Sequence, residues 1–255
     1  IIIVAGEPNS IFLEIFFKTL KIKKVKTPII LIASYNLLKL QMKKLKFNKK
    51  IKLLDIKKLK SYKLNNESIN LINVNYTTNK AFEKISKKSQ SYINDCFKIS
   101  IKLIKSGYTN KLINGPISKK NFLNKKFSGI TEYLANKFNK KSVAMLIYNK
   151  TLSVSPITTH LPLKNVSKNI NKRSIIDKVN LINEFYKKFI GIKPRIGVTG
   201  LNPHCESVDN SNEDSKILKP TIRKLSKMGL RISGPFAADT IFLKKNRKNF
   251  DVLLG

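Results

Sequence analysis

The chain contains two histidines, His160 and His204, and each follows a short apolar run that reads as a β-strand. The first lies in Ile157-Thr158-Thr159-His160-Leu161-Pro162-Leu163 and the second in Val198-Thr199-Gly200-Leu201-Asn202-Pro203-His204. In open α/β sheets, ligands gather outside the carboxyl ends of the strands. Two imidazoles at two such ends could share one metal ion. Each could equally be a single histidine in a loop or a hydrogen-bonded core group. Catalytic metal centres usually take three protein ligands and keep one position open, so a third donor has to come from elsewhere. Asp239 is the best carboxylate candidate. It lies in Ser233-Gly234-Pro235-Phe236-Ala237-Ala238-Asp239-Thr240, where small residues allow close backbone approach. Taken alone, it reads more simply as the N-cap of Thr240–Leu243. Cys205, next to His204, is a lesser candidate for a soft metal, because adjacent side chains often point apart.

Two more segments carry usable polar groups. Gly115-Pro116-Ile117-Ser118-Lys119 follows a strand and opens a helix. A helix N-terminus attracts anions and Lys119 adds a charge, although an ordinary strand–helix turn has the same composition. Gly129-Ile130-Thr131-Glu132 offers a hydroxyl and a carboxylate near a helix start, where capping is the simpler role.

These residues need a scaffold, and the chain alternates short apolar runs with helical periodicity. Strands are expected at Ile1–Ala5, Pro28–Ser34, Ile51–Leu54, Ile69–Val74, Leu112–Asn114, Val143–Tyr148, Leu152–Thr158, Arg195–Thr199 and Asp251–Leu254. The sixth and seventh are close enough to form a hairpin. A helix starts near Ile11 behind Ser10 as N-cap, and another runs from the second strand to about Lys46. Residues 79–106 carry Phe82, Ile85, Tyr92, Cys96, Ile99 and Leu103 at helical spacing, stopped by Gly107. Helices over Ser174–Phe189 and residues 213–228 end at Gly191 and Gly229. Helices between strands imply a mostly parallel sheet covered on both faces, with the hairpin as an antiparallel part. No GxGxxG follows a strand and no GxxxxGK[ST] occurs, so a nucleotide would have to be bound another way.

Composition bounds the partners. The chain has 255 residues, 42% of them hydrophobic, which is enough for a core. Lys+Arg is 51 against 15 Asp+Glu, a formal charge of +36. Such an excess raises nucleic acid or an anionic membrane as partner. All but five of the basic residues are Lys, there is no Trp, and the Lys residues are spread along the chain rather than clustered with aromatics. Arg is the preferred side chain for bidentate phosphate and guanine contacts. The Lys runs at 21–26, 43–52 and 119–126 therefore read as solvated faces, and a Lys-rich polyanion binder stands as the non-enzyme alternative. Neither nucleic acid nor membrane is expected as partner. Cys96 and Cys205 form no disulfide or CxxC pattern, which makes reduced thiols and a cytoplasmic location the default. No run approaches the ~18 apolar residues of a membrane helix, and Ile1–Ala5 is too short for a signal-peptide core. The chain starts without Met and stops inside a strand-like run, so it reads as a piece open at both termini.

Taken in order, Gly6-Glu7-Pro8, Gly115-Pro116-Ile117-Ser118-Lys119, Thr131-Glu132-Tyr133-Leu134, Thr158-Thr159-His160-Leu161-Pro162-Leu163, Gly200-Leu201-Asn202-Pro203-His204 and Gly234-Pro235 through Ala238-Asp239-Thr240 resemble one family. It is the 4-hydroxythreonine-4-phosphate dehydrogenases of vitamin B6 (pyridoxal phosphate) synthesis. Each motif is weak by itself; the ordered set is specific.

The resemblance implies an isopropylmalate-dehydrogenase-like α/β fold. This is a three-layer α/β/α arrangement with a mixed, mostly parallel sheet and two lobes around a cleft, which binds NAD without a glycine-rich loop. Lobe one would comprise 1–114 and 195–255, and lobe two 115–194. The resemblance also implies a homodimer with a shared active site, and NAD-dependent oxidation of 4-phosphooxy-L-threonine. The oxidation product, 2-amino-3-oxo-4-phosphooxybutanoate, then decarboxylates to 3-amino-2-oxopropyl phosphate. His160 and His204 match two metal-ligand histidines for a divalent Zn, Mn, Co or Mg ion, with the third expected beyond Gly255. Asp239 matches a carboxylate near the metal and Thr131 a substrate contact, with Lys119 as a further substrate-binding candidate. The piece lacking the remaining ligands is expected to be inactive by itself. Ile130 stands where the family usually has His, and Cys205-Glu206-Ser207-Val208-Asp209-Asn210 replaces a glycine-rich stretch. These departures keep a phosphorylated sugar acid, 4-phosphoerythronate or 4-phosphothreonate, open as the alternative substrate.

Overall fold

The structure is a computed structural model that describes residues 1–123, 126–205 and 212–255. The chain divides into two compact units, Ile1–Gly129 and Ile130–Gly255.

The first unit contains, in order, β1 (Ile2–Val4), α1 (Phe12–Ile22), β2 (Ile30–Ala33), α2 (Tyr35–Lys44), β3 (Ile51–Leu53), β4 (Ile69–Asn73), α3 (Gln90–Lys105) and β5 (Leu112–Asn114). The strands form a parallel sheet in the order β3-β4-β2-β1-β5. Strand side chains alternate between faces. Ile3, Leu31, Ala33, Ile69 and Leu71 pack with Leu13, Phe16 and Phe17 of α1 and with Leu38 and Met42 of α2. Ile2, Val4, Ile30 and Ile32 are equally buried, and α3 packs against β1 and β2. A sheet buried on both faces needs uninterrupted apolar strands, and the run Ile1–Ala5 supplies one. Ser34 starts α2, its hydroxyl accepting from Leu37 N at 3.3 Å, and its own N–H donates to the Tyr92 hydroxyl of α3 at 3.1 Å.

The second unit contains α4 (Ile130–Lys137), β6 (Ser153–Ser155), α5 (Val166–Asn169), α6 (Lys172–Phe185), β7 (Ile196–Thr199), α7 (Lys219–Lys227), β8 (Ile232–Phe236), α8 (Lys244–Arg247) and β9 (Val252–Leu254). Its sheet is parallel in the order β6-β9-β7-β8. Ile175, Val179 and Ile182 of α6 and Ile222 and Leu225 of α7 bury Ile196, Val198, Ile232, Val252 and Leu254. Leu253 joins Ile241, Phe250, Leu152 and Phe236 in a smaller cluster. Because all the paired strands run the same way, the loops after β6, β7 and β8 leave the sheet at one edge, and Gly255 lies there too.

Several expectations change. The strands of 195–255 pair with β6 rather than with the first sheet, so they group with 130–194, whereas the lobe division placed them with 1–114. The hairpin reduces to a single antiparallel bridge, Ile147 with Val154. The long helix over 79–106 is α-helical only from Gln90, after a 3-10 turn at Lys87–Ser89. Asn9 Oδ1 accepts from Glu83 N at 3.0 Å and Gln41 Nε2 donates to Ala81 O at 2.8 Å, which ties the segment down outside a helix. Phe82 and Ile85 are accordingly exposed. Ser10 is not the cap of α1, where Ile11 occupies that position, but its hydroxyl accepts from Phe12 N at 3.3 Å. β8 was not expected, because Gly234-Pro235 reads as a strand breaker. It is an edge strand, where a residue without an N–H donor is tolerated.

Candidate functional site

His160, His204 and Asp239 all lie in loops at the carboxyl edge of the second sheet. His160 follows β6, His204 follows β7 and Asp239 follows β8. The structure brings two of them close: His204 Nδ1 is 4.0 Å from Asp239 Oδ2, with the side chains 73% and 60% exposed. That separation and exposure leave room for a third group between or beside them. Among the described residues, the Asp239 carboxylate caps no backbone N–H. The turn at Thr240–Ile241 is instead closed by Ala237 O, which accepts from both amides. The capping alternative for Asp239 is therefore not realised.

Both histidines adopt left-handed backbone, with φ of 56° each, and Cys205 follows at 59°. For a residue with a side chain this conformation costs on the order of 1 kcal/mol, and it persists where surrounding contacts impose it. The loops show those contacts. On the His160 side, Thr159 Oγ1 donates to Glu132 Oε1 at 3.0 Å, tying the loop to the first turn of α4, the turn that also carries half-buried Thr131. The second oxygen, Glu132 Oε2, is buried without a hydrogen-bond partner among the described residues. Lys178 approaches the same region and donates to Val143 O at 3.0 Å. Burial pulls its ammonium pKa down, against the opposing pull of the Asp177 and Glu132 carboxylates.

On the His204 side the anchor is Asp214, fully buried. Its Oδ1 accepts from Leu201 N at 2.8 Å, and its Oδ2 accepts from Asn202 N at 3.0 Å and Asn202 Nδ2 at 2.9 Å. Sequence reasoning missed this residue. Its one signal is an acidic side chain in a chain that has only 15, opening a helical run. Gly200 is required beside it: a Cβ there would lie 2.5 Å from Cys205 Sγ and 3.2 Å from Asp214 Oδ1.

Cys205 is buried against Gly200, and burial, reinforced by the Asp214 carboxylate, pushes its thiol pKa up. Its side chain packs at the Gly200 position, the role the geometry gives it. Residues 206–210, expected to depart from the family pattern, lie outside the described residues. Lys119 sits exposed in the first unit, at the head of a short helical turn, Lys119–Leu123, whose Phe122 and Leu123 are buried. Next to this turn, Gly6 takes a left-handed φ of 75° and any Cβ would strike Pro116 O, while Glu7 N donates to that carbonyl at 2.8 Å. Glu7 itself is buried, accepting from Ser89 Oγ at 2.7 Å. The Gly-Glu-Pro and Gly-Pro segments thus brace each other at the strand ends of the first sheet.

Two imidazoles and a carboxylate are donors of the right chemistry for a divalent transition metal. Among the described residues, no three His, Cys, Asp or Glu side chains are near enough to hold one unaided. His204 and Asp239 fit as part of a metal site that needs further donors, and His160 is not brought into one three-residue cluster with them.

These features describe a parallel α/β enzyme chain whose polar residues gather at strand ends without a glycine-rich dinucleotide loop. Residues 24–255 match the family described as pyridoxal phosphate biosynthetic protein PdxA, and the chain belongs to that family. Over 263 residues it is 34% identical to the 4-hydroxythreonine-4-phosphate dehydrogenase of Sulfurihydrogenibium sp. (strain YO3AOP1), which covers 99% of this chain and 78% of that protein. A second relative, the enzyme of that name from Marinobacter nauticus, is 32% identical over 177 residues, 68% of this chain and about half (52%) of that protein. The crystal structure of 4-hydroxythreonine-4-phosphate dehydrogenase from Klebsiella pneumoniae shares the fold, with a TM-score of 0.83 at 22% identity, over all of this chain and 80% of that one.

Proposed function

We propose that the protein oxidises 4-phosphooxy-L-threonine with NAD in pyridoxal phosphate synthesis, with a divalent metal at the carboxyl edge of the second sheet. The observation that carries this reading is the approach of His204 to Asp239 at 4.0 Å on that edge, within a chain that matches the family over residues 24–255. In this reading His160 and His204 are metal ligands, completed by a donor outside the described residues. A metal held there would supply Lewis-acid polarisation of the substrate hydroxyl.

The chain's own residues supply the rest. Asp239 places a carboxylate 4.0 Å from the His204 imidazole, beyond direct hydrogen-bond distance and near enough to act on the same bound group. Thr131, at the head of α4, offers a hydroxyl to the substrate. The positive end of that helix, together with the Lys-rich surface, favours an anionic substrate. Lys119, in the first unit, is carried over from the family resemblance as a further substrate-binding candidate. Ile130 puts an apolar side chain where the family usually has His, which keeps 4-phosphoerythronate and 4-phosphothreonate as competing substrates. A homodimer with a shared site and a cytoplasmic location complete the proposal. No helix among the described residues is long and apolar enough to cross a membrane.

The test, made on the full-length gene product, is NADH formation, read by its near-ultraviolet absorbance, with each phosphorylated acid and with metal added or chelated. Turnover of 4-phosphooxy-L-threonine that is lost on chelation is the expected result. Turnover of only a sugar acid would replace the substrate and keep the reaction class. No turnover with any of the three, in folded and metal-supplemented protein, would overturn the reading.

A further inference from the structure

We infer that Asp214 is a positioning residue whose buried carboxylate sets the backbone that presents His204. The inference rests on the functional reading above only in taking His204 as a site residue. Its own basis is geometric. Asp214 is fully buried, yet it sits beside no Lys or Arg within ion-pair distance among the described residues. It is satisfied by the loop instead: Leu201 N, Asn202 N and Asn202 Nδ2 all point at its two oxygens. A carboxylate that accepts several N–H groups is held tightly and holds its donors in return.

The donors are the second and third residues before His204. Cys205 N closes the loop further by donating to Asn202 O at 3.1 Å. The result is a short turn over Pro203–Cys205 in which His204 takes φ 56° and ψ 10°. Unlike Gly, His does not prefer this conformation, so something must impose it, and the Asp214 cage is the contact that fixes the preceding residues. Gly200 marks the same requirement from the other side, since a Cβ at that position would crowd both Asp214 Oδ1 and Cys205 Sγ. Asn202 contributes twice, through its backbone and its side-chain amide, and that amide also reaches Glu213 Oε2 at 3.4 Å. Asp214 touches neither metal nor substrate in this scheme and acts through His204.

The test uses Asp214→Asn, in which one oxygen remains and the other becomes an NH2 that faces donors. The probe is Co2+ alone, titrated into the protein and read by its visible absorption band. Expected is a roughly ten- to hundredfold weaker Co2+ affinity, the range seen when partners of ligand residues are lost. kcat should fall with it and KM should change little. In a His204→Ala background the same substitution should have no further effect on Co2+ binding. Folded Asp214→Asn protein with parental Co2+ affinity would overturn the inference, as would an equal additional loss in the His204→Ala background. If Asp214→Asn does not fold, Asn202→Ala decides in its place: weaker Co2+ binding supports the cage and unchanged binding overturns it. If His204→Ala itself binds Co2+ and turns over normally, the functional reading fails. The cage is then judged by amide exchange at Leu201 and Asn202, expected to be slow in the parent and fast in Asp214→Asn.

Discussion

His204 Nδ1 and Asp239 Oδ2 face each other at 4.0 Å across the loops that follow adjacent parallel strands, β7 and β8. Neither is buried, so the pair is not part of the core, and removing either should change chemistry before stability. We expect His204→Ala to lose measurable turnover and Asp239→Asn to lose roughly ten- to hundredfold in kcat. Thermal midpoints of both should stay near that of the parent. A large drop in the midpoint of either would assign it to structure.

The tie between Thr159 and Glu132 should behave differently under two substitutions. Glu132→Gln keeps an acceptor for the Thr159 hydroxyl and replaces the unpaired buried oxygen with an amide NH2. Glu132→Ala removes the acceptor. Steady-state kinetics should show Glu132→Ala well below Glu132→Gln in kcat, and Thr159→Val should add little on top of Glu132→Ala.

Gly200→Ala introduces a methyl group 2.5 Å from Cys205 Sγ. Overpacking of this kind costs about 1–3 kcal/mol. Urea denaturation should show that loss, and shortening the opposing side chain in Gly200→Ala/Cys205→Ala should recover part of it. Full additivity of the two substitutions would show that the thiol is not what the new methyl meets.

Asp251 gives the second unit an acid-sensitive point. Burial pushes its carboxyl pKa up, but hydrogen bonds from the Arg195 side chain and backbone and the Arg195 charge outweigh burial and bring it below the usual value. A carboxylate with a lowered folded-state pKa stabilises the fold above its unfolded pKa of about 3.9, and that stabilisation disappears as pH falls through the folded value. The Arg195 side chain is 47% exposed, which limits the gain to on the order of 1 kcal/mol. Arg195→Met should therefore lower stability at neutral pH by about that amount and leave it nearly unchanged near pH 2, as measured by urea titration at the two pH values.

Burial pushes the Cys96 thiol up to about 12, and the side chain is fully enclosed in α3. Iodoacetamide at neutral pH should leave Cys96 unmodified in the native protein and label it after denaturation, as seen by peptide mass. Fast native labelling would mean that α3 opens readily.

The strand–helix alternation was legible because β1, β2 and β9 are continuous apolar runs, as buried parallel strands must be. β8 was not, because a strand containing Gly234-Pro235 is allowed only by its place at the sheet edge, and that place depends on residues far away in sequence. The start of α3 was misplaced for a related reason. Phe82 and Ile85 continue its periodicity, but hydrogen bonds to Asn9 Oδ1 and from Gln41 Nε2 hold their segment in another conformation. In the candidate site, His160 and His204 stand out as the only two histidines in the chain. Asp214 carries no comparable mark. Its importance lies in where Leu201 and Asn202 point their N–H groups, which no local pattern records.

The position of β9 governs the order in which the second unit can be built. It lies between β6 and β7 and pairs with both, yet Val252 is the register partner of Ser153 in the first and of Ile196 in the second, both far earlier in the chain. During synthesis, β6 waits alone and β7 pairs only with β8 until residues 252–254 leave the ribosome. Each waiting edge is a template for a neighbouring chain. The first unit has no such gap, since all its strands lie within residues 2–114. Nascent chains stalled before Val252 should therefore carry a folded first unit and a sticky, incomplete second one, with chaperone demand concentrated in the interval before the central strand arrives.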